Sequence, residues 1–344
     1  MARIVLADDG IEFDGRTLDE SPLGGAESSL VSLMETLAAR GHAVSVHNNC
    51  RAATDHNGVQ WRPLKDGVPD KADLYIANRS DRVLPLMPEA GRTVFWTHNP
   101  CGYMLKWRYL SKLWRHASAI VFIGDYHATT WPGWAPGGER VLIPYGLPDA
   151  FCEAEPTTNV PGPRAVFTSN PLRGLDWLLE RWERDIQPRA PGGELHLFTG
   201  AAVYGSAGDR KAQKMAKVLD KAKALAEKGV RLRGPVPKQQ LIDEFRQARC
   251  MLYRGDINET FCHAVGEAQA MGVPAVVTDL GSMAERVADG CTGAVALTDA
   301  AFAENAVRVL TDETVWQRMH LAALETQRSW RWADAAATWE RLIP

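Results

Sequence analysis

Two glutamates, Glu259 and Glu267, lie eight positions apart, and their spacing could hold a ligand rich in hydroxyl and phosphate groups. The residues from Glu267 to Met271 include no β-branched side chain and are followed by Gly272, which predicts a helix ending at this glycine. If the helix begins near Phe261, its first N–H groups can bind an anion. One carboxylate would precede the anion, and the other would lie about two turns along the helix. This arrangement suits a sugar diphosphate, with one glutamate on the sugar and the other on a ribose.

The same pair of glutamates has a simpler explanation. Glutamates are common on the solvated side of surface helices, and the spacing alone favours that alternative. The next segment, 273–278, is a short apolar run that is typical of a buried parallel strand. The choice between ligand binding and a solvated helix face therefore depends on the surrounding motifs.

The surrounding residues resemble the C-terminal signature of the family-4 retaining glycosyltransferases, which have the GT-B fold. In that signature the two glutamates are followed by Gly-x-Pro, a strand, a Gly-rich turn with a further Glu, and an Asp-Gly-x-x-Gly turn. The corresponding segments here are 272–274, 275–278, 281–285 and 289–293. Four earlier segments also resemble family motifs, in family order: 24–27, 40–44, 143–148 and 169–175. Each match is weak alone, but together they span nearly the whole chain.

The resemblance implies an α/β protein of the GT-B class, in which two Rossmann-like, doubly wound parallel-sheet domains face each other across a cleft. Alternating strands and helices in both halves support parallel sheets, whose ligands bind beyond the carboxyl ends of the strands. The predicted strands are 4–7, 43–47, 74–77, 93–96, 119–123, 165–168, 195–198, 230–232, 250–253, 275–278 and 294–297, with helices at 25–40 and 206–228. A polar, Pro-rich break at 153–163 predicts the linker. The predicted acceptor domain is 1–153 with a returning helix at 329–344, and the predicted donor domain is 154–328.

The resemblance also implies which residues bind the donor. Arg173, where many relatives carry Lys, would grip the diphosphate, because a guanidinium can bind two oxygens at once. Glu267 would accept hydrogen bonds from both ribose hydroxyls, and Glu259 would lie near the transferred sugar. The remaining expected contacts are the backbone N–H groups of Phe261, Cys262 and His263 on the diphosphate, Gly24 and Gly25 covering it, Arg233 and Val236 near the base, and His98 on the sugar.

Retaining transfer is the implied chemistry, with Glu259, His98 and Arg173 as catalytic residues. In the family the leaving diphosphate is thought to help deprotonate the acceptor hydroxyl on the same face of the sugar. Positive groups and helix N–H groups would stabilise the charge that develops on that phosphate. No cofactor beyond the nucleotide sugar is expected, and no metal, because no Asp-x-Asp signature occurs. Implied acceptors are glycans or lipid-linked sugars of envelope or surface glycan assembly.

Three departures from the family pattern keep other functions open. Relatives usually carry a second Arg where Thr168 and Ser169 stand, often Gly at Cys262, and in many cases Asn at Tyr145. A catalytically degenerate nucleotide-sugar-binding protein therefore remains an alternative. A sugar-nucleotide epimerase of the same fold is a further alternative, although it would need different acid and base residues.

Composition limits the class of protein. The chain has 344 residues, 24% charged residues and a net charge of −3, which gives no general attraction to nucleic acid. Six scattered cysteines, no apolar run long enough to span a bilayer and no signal peptide predict a cytoplasmic protein. Segment 103–116, basic and rich in aromatic residues, predicts either peripheral contact with the anionic inner membrane face or a helix packed on the sheet.

Overall fold

The computed structural model describes residues 1–20, 23–200 and 209–344. The chain divides into two compact units, Met1–Gly146 with Arg331–Pro344, and Leu147–Trp330. The unit boundaries lie a few residues from the sequence-based limits at 153 and 329. Each unit is built on a parallel sheet, so the predicted α/β class is confirmed. Residues 206–208 of the predicted helix 206–228 lie outside the described residues.

The first unit is built on one sheet, which contains eight strands among the described residues, in the order β3-β4-β2-β1-β5-β6-β7-β8. All neighbouring strands are parallel except β3 and β4. The strands are β1 (Arg3–Ala7), β2 (Ala43–Asn48), β3 (Thr54–His56), β4 (Val59–Pro63), β5 (Leu74–Asn78), β6 (Arg92–Trp96), β7 (Ala119–Phe122) and β8 (Glu139–Leu142). The first helices are α1 (Thr17–Glu20), α2 (Gly25–Ala39), α3 (Trp107–His116) and α4 (Asp125–Thr129).

The degree to which each strand is buried explains whether it could be predicted from the sequence. The strands β1, β5, β6 and β7 are almost wholly buried, and their apolar runs gave a clear signal. The strands β3, β4 and β8 were missed. Both β3 and β8 lie at the sheet edges and carry exposed or half-exposed residues, so they lack a continuous apolar run. The strand β4 alternates buried and exposed residues and follows β3 in an antiparallel hairpin.

The second unit contains a six-stranded parallel sheet among its described residues, in the order β11-β10-β9-β12-β13-β14. Its strands are β9 (Arg164–Phe167), β10 (Glu194–Leu197), β11 (Val230–Leu232), β12 (Cys250–Tyr253), β13 (Ala275–Thr278) and β14 (Gly293–Ala296). Its helices are α5 (Asp149–Glu153), α6 (Leu175–Arg181), α7 (Asp209–Ala224), α8 (Lys238–Arg246), α9 (His263–Ala270), α10 (Met283–Arg286), α11 (Asp299–Thr311) and α12 (Glu313–Gln327). All six predicted strands are present within one residue of their predicted limits.

The last helix, α13 (Trp332–Glu340), belongs to the first unit. Trp339 is buried, and its ring centroid lies 5.2 Å from that of Trp96 on β6. Arg40 at the end of α2 forms a two-pronged ion pair with Glu340, with both N···O distances at 2.7 Å. Apolar packing and a paired charge therefore hold the chain end on the first sheet.

Candidate functional site

A buried carboxylate lies beyond the carboxyl end of the second unit's sheet. Glu259, in the loop between β12 and α9, is 8% exposed. The hydroxyl of Tyr253, the last residue of β12, donates to Glu259 Oε2 over 2.7 Å. The guanidinium of Arg173, from the turn between β9 and α6, forms an ion pair with the same oxygen. The loops after two neighbouring strands thus bring together a carboxylate, a phenol and a cation, as the sheet rule predicts.

A glycine holds the backbone of Glu259 in place. Gly281 has a φ of 62°, and a Cβ there would lie 2.4 Å from the carbonyl oxygen of Asp256 and 2.6 Å from that of Glu259. The N–H group of Ser282 donates to the Glu259 carbonyl over 3.0 Å. The Gly-rich turn after β13 is therefore a steric requirement of the Glu259 loop.

The helix α9 begins at His263, two residues later than the predicted start near Phe261. Cys262 precedes it with a φ of 66° and a ψ of 78°, a left-handed conformation that cannot continue a right-handed helix. For a side chain with a Cβ this conformation costs about 1–3 kcal/mol. Glycine adopts this backbone conformation without that cost. By the family resemblance, glycine is also the residue that relatives often carry at this position.

The second glutamate of the pair is also paired with a cation. Glu267 lies on α9 and is 3% exposed. The ammonium of Lys238, at the start of α8, forms an ion pair with its carboxylate. The Lys238 side chain is itself 58% exposed and lies 5.5 Å from the ring centroid of Phe151. The carboxylate that is predicted to bind the ribose is therefore paired with an exposed lysine.

A third cation, Arg286 at the end of α10, lies behind the start of α9 and is 2% exposed. Its guanidinium carbon lies 4.3 Å from the ring centroid of Phe261 and 3.7 Å from that of Trp330. Within the described ranges, Nη1 and Nη2 have no hydrogen-bond partner. Burial lowers the pKa of Arg286 to about 10, so the side chain is charged at neutral pH. The sequence analysis did not identify this residue.

The two other side chains at the start of α9 are uncharged. Burial, together with the charges of Lys238 and Arg286, lowers the pKa of His263 to about 3, although part of the residue is exposed. Burial raises the pKa of the Cys262 thiol well above its usual range. A protonated thiol is a poor nucleophile, so Cys262 can contribute backbone and volume but not covalent catalysis.

A second polar cluster lies beyond the carboxyl end of the first unit's sheet. Asp8 follows β1, is fully buried, and accepts hydrogen bonds from Asn78 Nδ2 at 2.9 Å and Arg79 Nε at 3.1 Å. Arg79 Nη1 also donates to Glu27, in the first turn of α2, over 2.8 Å. Arg79 has a φ of 49°, so this cluster also contains a strained backbone.

His98 extends this cluster from the end of β6. Its Nε2 donates to Asn78 Oδ1 over 2.6 Å, and the hydroxyl of Tyr145 donates to its Nδ1. The Asn78 amide nitrogen already bonds Asp8, so its oxygen faces His98 and sets the proton on Nε2. Burial and the charge of Arg79 lower the pKa of His98 well below its usual value. His98 is therefore a neutral ring in a fixed orientation, and its role on a sugar stays a prediction.

The other residues predicted to bind the donor lie in ordinary loops and caps. Gly24 is the N-cap of α2 and Gly25 its first residue, and a Cβ on Gly24 would lie 2.5 Å from a Glu27 carboxylate oxygen. Arg233 donates to Glu244 over 3.1 Å, and Val236 lies between β11 and α8. Their contacts with a ligand stay predictions.

The predicted basic segment 103–116 includes α3, which packs on the first sheet through Tyr109 and Leu113. Trp107 and Trp114 are 80% and 74% exposed and lie two turns apart on the helix. The helix packs on the sheet, as one of the two alternatives predicts, and it also exposes two tryptophans, while contact with a membrane stays a prediction. Within the described ranges every helix is too short or too polar to cross a bilayer.

Four residues of the two clusters were not predicted from the sequence, although a simple pattern identifies them. Polar residues directly after a buried strand, or ending it, are candidates for the ligand edge of a parallel sheet. The residues with this signal are Asp8, Asn78, Arg79 and Tyr253. Glu27 lies within the motif-like segment 24–27, and Lys238 and Arg286 carry no comparable signal.

Comparison with known proteins finds similar glycosyltransferases. Residues 162–312 match the sequence model of the family "Glycosyl transferases group 1". A D-inositol 3-phosphate glycosyltransferase from Streptomyces avermitilis is 36% identical over 110 residues, which cover 31% of this chain and 24% of that protein. The matching segment thus spans about a quarter of the length of the curated relatives.

Solved structures match over the whole chain. Sucrose-phosphate synthase from Thermosynechococcus elongatus has a TM-score of 0.74 at 17% identity, covering 98% of this chain and 97% of its own. Anabaena HepE in complex with UDP and glucose has a TM-score of 0.70 at 15% identity and 99% coverage of both chains. The resemblance seen in the sequence is confirmed over residues 162–312, which match the model of glycosyl transferases group 1, and the chain has the GT-B fold.

Proposed function

We propose that the protein is a retaining, metal-independent glycosyltransferase of the hexosyltransferase type, which moves a sugar from a nucleotide-diphosphate donor to an acceptor hydroxyl. The observation that carries this proposal is the pair of buried carboxylates, Glu259 and Glu267, on either side of the start of α9. Each is paired with a basic side chain that a ligand can displace or share. The family match and the UDP complex of a protein with the same fold support a nucleotide sugar as the donor.

In this proposal the diphosphate lies at the start of α9. The positive end of the helix dipole and the backbone around Phe261, Cys262 and His263 favour an anion there. The guanidinium of Arg173 then binds phosphate oxygens as well as Glu259. The carboxylate of Glu267 releases the ammonium of Lys238 and accepts hydrogen bonds from the two ribose hydroxyls. The two hydroxyl donors preserve hydrogen bonds to the buried carboxylate, which offsets part of the cost of losing the ammonium.

The transfer step needs no protein nucleophile. The bond between the anomeric carbon and the leaving phosphate oxygen breaks, and that oxygen takes the electron pair. The acceptor oxygen forms its bond to the anomeric carbon on the same face, and its proton passes to the leaving phosphate. Arg173 and the start of α9 stabilise the new negative charge, and Glu259 faces the positive charge that develops on the sugar. His98, Gly24 and Gly25 keep the roles on sugar and diphosphate that the resemblance implies.

The acceptor proposed here is a glycan or lipid-linked sugar of envelope or surface glycan assembly. The side of α3 that carries Trp107 and Trp114 supports peripheral contact with an anionic membrane, because exposed tryptophans beside basic residues suit the lipid interface. Vesicles of anionic lipid should pellet the protein, and Trp107→Ala/Trp114→Ala should leave it in the supernatant. Wild-type protein that stays in the supernatant with anionic vesicles would remove the membrane from the proposal.

A screen of nucleotide sugars by thermal shift tests the donor. A ligand at one hundred times its Kd stabilises the folded protein by about 2.7 kcal/mol, which raises the melting temperature measurably. Glu267→Gln should lose most of the shift, whereas Glu194→Gln, a carboxylate paired with His196 in the same unit, should retain it. A wild-type protein that no nucleotide sugar stabilises would contradict the proposal.

Incubation with the stabilising donor separates the three candidate functions. Slow release of free sugar without acceptor supports a glycosyltransferase, an altered sugar still attached to the nucleotide indicates an epimerase, and binding without turnover indicates a degenerate binder. NMR of the transferred sugar should show the donor's anomeric configuration. A chelator should leave the rate unchanged, and full dependence on added Mg²⁺ or Mn²⁺ would contradict metal independence.

A further inference from the structure

Arg286 is a buried cation whose charge is only partly balanced, by the through-space effect of the Glu285 carboxylate. Its guanidinium forms no ion pair with a carboxylate of the described residues, and Nη1 and Nη2 have no hydrogen-bond partner there. Two aromatic faces, those of Phe261 and Trp330, enclose it. Ring faces attract a cation, but they do not replace the hydrogen bonds and negative charge that a buried guanidinium needs. The guanidinium therefore carries a positive charge that the described residues only partly balance.

The position of the guanidinium indicates where a negatively charged group would balance its charge. Nη1 lies 3.7 Å from the place that a Cβ on Gly266 would occupy, so the guanidinium lies beside the first turn of α9. Its charge contributes to the lowered pKa of His263, the first residue of that helix. Phe261, one of its two ring contacts, precedes the helix by two residues. Arg286 and the positive end of the α9 dipole thus add their fields at the same place.

We infer that Arg286 is the buried counter-charge of a phosphate group bound at the start of α9, acting through space across Phe261 and Cys262. This inference rests on the proposed donor site and adds a residue to it. Both terminal nitrogens are covered, so Arg286 does not donate directly to the ligand but fixes a positive potential at the place where phosphate binds. Because the protein interior screens charge less than water does, such a charge still acts over several ångströms. Arg286 is therefore a positioning residue, and Arg173 is the cation that contacts phosphate.

The competing explanation is purely structural, with Arg286 serving only as a flat filler between two rings. The two explanations differ in what they require of the side chain. A filler must be flat, and neither Met nor Lys is flat. A counter-charge must be positive, which Lys satisfies and Met does not. Met matches the length of the arginine stem and packs well against aromatic rings, so Arg286→Met removes the charge with little loss of volume.

The test is a calorimetric titration with inorganic pyrophosphate and with UDP, on wild type, Arg286→Met, Arg286→Lys and Arg249→Met. Arg249 is the matched control, because it is a buried arginine of the same unit that bonds the carbonyls of Val309 and Pro161. We expect Arg286→Met to weaken pyrophosphate and UDP roughly tenfold or more, and Arg286→Lys to stay within about threefold of wild type. Arg249→Met should bind as wild type does.

The outcomes of these titrations distinguish the electrostatic role of Arg286 from a structural one. Uridine, which carries no phosphate, should bind wild type and Arg286→Met equally, because only the anionic part of the ligand senses the charge. Equal losses in Arg286→Met and Arg286→Lys, or equal losses for uridine and UDP, would establish the structural role instead. Unchanged UDP binding in Arg286→Met would overturn the inference and leave the proposed function intact. A wild type that binds neither pyrophosphate nor UDP, GDP or ADP would overturn both. If Arg286→Met fails to fold, Arg286→Gln provides the uncharged variant.

Discussion

The two units each carry a cluster of charged residues beyond the carboxyl edge of the sheet, but the clusters differ in their balance of charge. In the first unit two carboxylates, Asp8 and Glu27, share one guanidinium, that of Arg79. In the second unit the cluster contains two carboxylates and three cations: Glu259, Glu267, Arg173, Lys238 and Arg286. Beside each cluster lies one non-glycine residue with positive φ, Arg79 in the first unit and Cys262 in the second.

This difference indicates different tasks. In the first cluster the single cation is bonded to both carboxylates, and the buried ring of His98 is fixed by Asn78 and Tyr145. Such a network holds loops in one arrangement. The second cluster has an excess of positive charge, and one of its cations, Arg286, lacks a partner among the described residues. An anion such as a diphosphate would balance this excess. We therefore assign the first cluster mainly to holding its loops and the ring of His98 in a fixed arrangement, and we propose the second cluster as the place where the anion binds.

The largest effect that tests the comparison is on stability in the first unit. Asp8→Ala should lower the free energy of unfolding by about 3–5 kcal/mol, because it leaves Arg79 and Asn78 without their buried acceptor. Urea unfolding measures the change. Asp55→Ala, which breaks the exposed ion pair with Arg62, should cost no more than about 1 kcal/mol. Equal costs for the two variants would show that the first cluster is not a structural network.

A second effect, on the reaction rate, should arise in the second unit. Glu259→Ala should lower the turnover of donor hydrolysis or transfer by about 100- to 1000-fold, the usual loss when one electrostatic contact to a transition state is removed. Glu259→Gln can still accept the hydrogen bond of Tyr253 but loses the charge, so it should fold and be similarly slow. Retained UDP binding in both variants would show that the site itself is intact. An active Glu259→Ala would refute the role given to this residue.

The sequence predicted much of this arrangement, for physical reasons that particular elements show. Buried strands such as β12 and β13 are continuous apolar runs, and Glu259 and Glu267 are joined by a short, regular stretch of chain. The edge strands β3 and β8 escaped prediction because their polar residues carry no such run. The start of α9 was misplaced by two residues because a left-handed Cys262 cannot be distinguished from a helical one by residue type.

Contacts between distant parts of the chain could not be predicted. Arg286 directly follows a glutamate in the sequence, as if on the solvated side of a helix, and its ring partners Phe261 and Trp330 lie far from it along the chain. The pairing of Lys238 with Glu267 joins the start of α8 to α9, two helices that are separated in the chain by β12. Only the tertiary structure reveals such neighbours, because neither periodicity nor local propensity encodes them.

The smallest effect sharpens the comparison through pH. Burial lowers the pKa of His127, in the first unit, to about 4, and the pKa of His263, in the second, to about 3. An unfolded histidine gains its proton near pH 6.5, so below that pH the unfolded state binds more protons than the folded state. Stability is therefore full above about pH 6.5 and falls with pH until the folded pKa is reached. Each of these histidines adds about 1.4 kcal/mol per pH unit to that slope.

Urea unfolding between pH 7 and pH 5 measures the slope of the unfolding free energy against pH. His127→Gln and His263→Gln should each reduce this slope by the contribution of one titrating proton. The two histidines should differ when a ligand is present. A diphosphate at the start of α9 brings negative charge to His263 and raises its pKa, so saturating UDP should flatten the contribution of His263. The contribution of His127, which bonds the backbone at Asn99 and Ile123, should not change. A UDP effect on both slopes, or on neither, would show that the anion does not bind at the start of α9.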